Sequence, residues 1–104
     1  MIYVTGNVTI LFPLEHKIRK RWKRKVFTLE FQSIEQQTNG QRVNYTYTAF
    51  IEKSRECRFL EDYIGKVKPF IESQVKASVV RLQVTHLNYV SEEAIQRLNL
   101  RRRR

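Results

Sequence analysis

From Ile2 to Phe12 the chain keeps a two-residue rhythm: Ile2, Val4, Gly6, Val8, Ile10 and Phe12 fall on one side, Tyr3, Thr5, Asn7 and Thr9 on the other, until Pro13 ends the run. A β-strand turns successive side chains to opposite faces, so the pattern demands a sheet with one buried face and one wetted face. The rhythm returns three times. KVFTLEFQSI (25–34) sets Phe27, Leu29 and Phe31 against Thr28, Glu30 and Gln32. VNYTYTAFIE (43–52) sets Val43, Tyr45, Tyr47, Ala49 and Ile51 against Asn44, Thr46, Thr48 and Phe50. VKASVVRLQVTHL (75–87) sets Val80, Leu82 and Val84 against Val79, Arg81, Gln83 and Thr85. Four such segments make the chain mainly β, and Gly6 in the middle of the first predicts a bulge or sharp bend.

The connections give the order. Asn39-Gly40 is a hairpin signal because both residues tolerate positive φ, so the second and third strands pair antiparallel and the first three form a meander. Ser54 as N-cap, Glu56 in the first turn and Phe59, Leu60, Tyr63 and Ile64 at helical spacing predict a helix over 55–64, closed by Gly65 or running toward Pro69. Ser91 opens a second, short helix of about 92–99. At 104 residues the chain is one domain, here 1–100, followed by a basic tail, 101–104. The order β-β-β-α-β, with a helix before the fourth strand, is that of the OB-fold, a five-stranded, partly open Greek-key barrel. A fifth strand has to come from LNYV (87–90), from a continuation of the fourth, or from a second subunit in a homodimer that completes the barrel.

Charge is concentrated rather than spread. The formal net charge is +10; of 20 Lys and Arg, seven lie in HKIRKRWKRK (16–25), namely Lys17, Arg19, Lys20, Arg21, Lys23, Arg24 and Lys25, and four are Arg101 to Arg104. Without those eleven, nine cations face ten carboxylates, so the body of the domain is nearly neutral. Such an excess points to a polyanionic partner.

Several quoted pieces resemble one family. Thr5-Gly6, Pro13, Trp22-Lys23 with Lys25 leading into Phe27-x-Leu29-Glu30, and Lys68-Pro69-Phe70 followed by Val75-Lys76-x-Ser78 are similar, in order over residues 4–78, to small OB-fold proteins of Bacteroidetes and their phages that are single-stranded-DNA-binding-like. The resemblance implies an OB barrel that binds nucleic acid through the basic and aromatic segment between strands 1 and 2. After Leu87 this chain departs from the family pattern, with SEEAIQRLNLRRRR where a hairpin and a fifth strand belong.

Binding a single strand wants cations for phosphates and flat rings for bases. Lys17, Arg19, Lys20, Arg21, Lys23, Arg24 and Lys25 supply the first, with Arg42 and Arg81 as further phosphate contacts. Trp22 is a candidate ring, and in extended chain it projects opposite to Arg21 and Lys23; core packing is its other reading. Tyr45 and Tyr47 fit stacking or core alike, since they share a face with Val43, Ala49 and Ile51. A basic run of this kind also matches nuclear addresses.

Other chemistries find little material. His16 and His86 lack ligand-spaced partners, so no metal or other cofactor is expected. Cys57 is a lone thiol on an apolar stretch; it cannot form an internal disulfide and gives no sign of an oxidising compartment. MIYVTGNVTILF has no basic lead-in, and no apolar run is long enough to span a membrane. The expectation is therefore a non-enzymatic, cytoplasmic protein with no membrane contact that binds single-stranded DNA, or RNA, with low sequence specificity. The alternatives are a protein-interaction subunit that pairs an edge strand and a structured-RNA or ribosome-associated binder.

Overall fold

Apolar side chains at every second position bury one face of each alternating segment, and the sheet follows from that. The computed structural model describes residues 2–89. Strands β1 (Ile2–Phe12), β2 (Arg21–Lys23), β3 (Phe27–Gln37), β4 (Gly40–Ile51) and β5 (Ser78–Tyr89) form one antiparallel sheet in the order β2-β3-β4-β1-β5. The sheet is open, with β2 and β5 at its two ends among the described residues. Val67, Ile71 and Val75 of the helix α1 (Ile64–Val75) join Val4, Ile10 and Tyr45 of the sheet in one buried core.

Several expectations need correction. The first three long strands are not a meander, because β1 lies beside β4, in register from Ile2 opposite Ile51 to Phe12 opposite Gln41. These are the two strands whose core face stays apolar along nearly its whole length. β3 loses its apolar beat after Phe31, and it takes the place outside β4. The fifth strand comes neither from LNYV (87–90) nor from a continuation of the fourth: residues 87–89 finish β5, and the added strand is the three-residue β2 inside the basic stretch. Val90, the expected helix at 92–99 and the Arg101–Arg104 tail lie outside the described residues.

The helix also starts later than its signals suggest. Ser54 caps only a turn, its hydroxyl accepting the Glu56 N–H at 3.3 Å. A 3₁₀ turn, Leu60–Tyr63, then leads into α1, which runs past Gly65 and holds Pro69 within it. At the sixth position of α1, Pro69 cannot make the backbone bond to the Gly65 carbonyl, and the helix continues through it to Val75. Phe59 and Leu60, expected on the packed face, are exposed. What starts this segment is Asp62, whose carboxylate accepts the N–H groups of Arg58 at 2.8 Å and Phe59 at 2.9 Å. Those two donors hold its carboxyl below the ordinary value of 3.8.

Two glycines matter for space rather than for φ. The hairpin residues Asn39 and Gly40 do not adopt positive φ; a Cβ on Gly40 would instead meet Leu11 Cδ1 and the Phe12 carbonyl oxygen, each at 2.9 Å. At Gly6 a Cβ would lie 1.9 Å from the Gln83 carbonyl oxygen and 2.9 Å from the Tyr47 hydroxyl. Through that gap the Tyr47 hydroxyl passes beneath β1 and donates to the Gln83 oxygen at 2.9 Å. The predicted irregularity is there too, since the β1–β5 register shifts between Thr5 and Gly6. A second shift, between Thr9 and Ile10, leaves Val80 without a partner and exposed. Val79 and Leu82 therefore both face the core, and the strict alternation read for this strand is broken.

Gly6→Ala should cost about 2 to 3 kcal/mol in urea unfolding, since backbone has to move. Gly65→Ala, with nothing within 4 Å of the new carbon, should gain about 0.5 to 1 kcal/mol by its better helix propensity. Asp62 contributes stability that is complete above the ordinary carboxylate value and is lost as pH falls through its lower folded-state value. An Asp62→Ala variant should show a flatter acid limb in a pH series of thermal melts.

Candidate nucleic-acid interface

Pro13 ends β1, and the chain has to reach the far side of β3 before β2 can pair. Two polar tips on the core face of β4 guide it. Gln41 is buried, and its Nε2 donates to the carbonyl oxygens of Pro13 (2.9 Å), Leu14 (3.1 Å) and His16 (3.0 Å). The Tyr45 hydroxyl donates to the Arg19 oxygen at 2.6 Å. Further along, the Phe31 N–H donates to Lys20 at 2.8 Å and the Arg24 N–H to Phe27 at 2.9 Å. The His16 ring stacks on Phe12 with centroids 4.8 Å apart. The basic segment is thus tied down through its main chain, while Lys17, Arg19, Lys20, Arg21, Lys23, Arg24 and Lys25 are exposed.

Trp22 faces inward. It is 8% exposed and lies opposite Leu29, in the core cluster beside Phe27. The Arg19 and Arg24 guanidinium carbons stand 4.7 and 5.9 Å from its ring centroid, close enough for cation–π attraction. Its Nε1 is buried without a partner in hydrogen-bond geometry. Burial pushes the Tyr45 phenol above its ordinary value, with the neighbouring Trp22 N–H pulling weakly the other way. Burial alone pushes Tyr47 up strongly.

Base stacking by the candidate rings is therefore corrected: Tyr45 and Tyr47 are 0% and 2% exposed. Val43, Tyr45, Tyr47 and Ala49 on the apolar face of β4 all belong to the buried cluster, and β2 carries Trp22 into it. Arg21 and Lys23, one residue either side, turn to the opposite, solvent face. The Arg21 guanidinium sits 4.0 Å from Glu30, a well-exposed pair worth little. Arg42 and Arg81 share that solvent face with Arg21 and Lys23, opposite Glu35 and Thr9 respectively.

Gln41 went unnoticed in the sequence. It stands two residues before Val43, in phase with the buried beat of β4, and a polar amide at a core position was the readable sign. Cys57 is half-buried, its thiol 3.6 Å from the Asp62 oxygen. Among the described residues no three His, Cys, Asp or Glu side chains group to hold a metal ion, and no helix is long and apolar enough to cross a membrane. Compared with protein-family models, curated proteins and solved structures, the chain matches none, so its function rests on geometry and charge.

Trp22→Ala should destabilise the fold by about 3 to 5 kcal/mol, whereas Lys20→Gln and Lys23→Gln should stay within about 0.5 kcal/mol of the parent in the same denaturation assay. Tyr45→Phe removes one anchor and should cost about 1 kcal/mol. Amide exchange of that variant should quicken around residues 14–20 more than in β1.

Proposed function

We propose that this is a non-enzymatic domain that binds single-stranded nucleic acid with little sequence preference, through phosphates rather than stacked bases. One observation carries the reading: seven exposed cations within nine residues are held together by main-chain anchors, and the Arg21–Glu30 ion pair among them is long and open to solvent. Like charges crowded in this way repel, and a polyanion relieves the repulsion while condensed counterions are released. With Trp22, Tyr45 and Tyr47 inside, affinity comes from charge, which favours no base.

DNA over RNA rests on the resemblance alone, and the OB-like reading of the fold on the resemblance and on the helix preceding the last strand; the adjacency of β1 and β4 weighs against the OB order. A cytoplasmic setting suits the reading. The buried rings also favour a second reading, a structured RNA recognised by phosphate and shape.

Fluorescence-anisotropy titration with labelled oligo-dT, and with duplex RNA, at several salt concentrations tests both. For the single strand, log affinity should fall linearly with log salt, by about 0.7 for each phosphate contact. Lys20→Gln and Lys23→Gln should each remove about one contact. Stronger binding to duplex RNA would transfer the assignment to the second reading, and no binding of either at low salt would overturn both.

A further inference from the structure

The solvent face of the sheet holds a second organised surface. Register sets Arg21, Glu30, Thr46, Asn7 and Gln83 in one row across all five strands, from β2 to β5. The next row runs Ser33, Asn44, Thr9 and Arg81. Past Glu30, which pairs with Arg21, the centre of this face is neutral and hydrogen-bonding at Thr46, Asn44, Asn7 and Thr9, and cations stand at both ends: Arg21 and Lys23 on β2, Arg81 on β5.

The rows do not lie flat. β3 carries an irregularity between Phe31 and Ser33, and the two register shifts of β5 bracket the stretch from Gly6 to Thr9. Bulges bend a sheet and re-aim side chains. Here they enclose a cleft of about 220 Å³, lined by Asn7, Thr9, Ser33, Asn44, Arg81 and Gln83 among others. Its floor is ordered: the Thr9 hydroxyl donates to Asn44 Oδ1 at 2.5 Å, and Asn44 Nδ2 donates to the Ser33 hydroxyl oxygen at 2.8 Å. The Ser33 hydroxyl proton and the exposed Arg81 guanidinium remain as donors for a ligand, a pairing that suits one phosphodiester.

We propose that the bound strand crosses this face transverse to the β-strands, with phosphates taken at the β2 edge by Arg21 and Lys23 and at the β5 edge by Arg81 in the cleft. The proposal rests on the nucleic-acid reading and adds a path and a second contact region to it. Four strand spacings separate the edges, about 19 Å, so only a strand several nucleotides long reaches both. Shorter strands settle on the more cationic β2 side.

The test is a length series of oligo-dT, from about 2 to about 16 nucleotides, titrated against the parent and against Arg81→Gln. Lys66→Gln, an equal loss of charge on α1 at the opposite side of the sheet, is the control. Arg81→Gln should leave the shortest strands unaffected, weaken the long ones about tenfold and lower their salt slope by about 0.7. Asn7→Asp, which puts a negative charge between the two edges, should weaken long strands as well. If the parent binds and Arg81→Gln matches Lys66→Gln at every length, the path is wrong and the nucleic-acid reading stands. If the parent binds no length, both fall.

Discussion

Three polar tips on one buried face of β4 hold the molecule's separate parts in relation. Tyr47 reaches one way, under β1, to the carbonyl of Gln83; Tyr45 and Gln41 reach the other way, to the carbonyls of Arg19 and of Pro13, Leu14 and His16. Each side chain buries its body in the core and spends its polar end on a backbone carbonyl. An unmet carbonyl in such a place costs about 1 to 3 kcal/mol. The core and the charged segment are therefore a single construction.

That construction reconciles crowded cations with a folded domain. Arg19 and Arg24 lie against the Trp22 ring, which steadies their guanidiniums without neutralising them. The ring itself is buried, so its part is to position charge. A segment that reads in sequence as a basic stretch with a candidate stacking ring is in the fold a rim of charge anchored through its main chain.

Much of this was legible in the sequence, and the limits are physical. Alternation fixes which face a residue occupies, hence the mainly β class, the four long strands and the opposed directions of Trp22 and of Arg21 and Lys23. It says nothing about which strand lies next to which, so β1 beside β4 was out of reach. Nor does a period of two distinguish an aromatic that packs from one that stacks: Tyr45 and Tyr47 obey the same beat in either role. Bulges broke the beat at Val80, where three consecutive apolar or long side chains offered no sign of which was extra. In the 55–64 region the apolar spacing was real, yet Asp62 started the turn from within, and a breaker early in a helix did not break it. The solvent-face cleft depends on the pairing of β1 with β4 and with β5, between residues 35 to 76 positions apart, information that no local pattern carries.

The anchors of the basic segment have one further property. The hydrogen bonds described for the segment grip main-chain carbonyls and amides, groups that all amino acids share. The identities at 17, 20 and 23 are thereby uncoupled from folding. Such a rim is evolvable in a simple sense: its charge can be raised, lowered or redistributed one residue at a time while the frame that displays it stays the same.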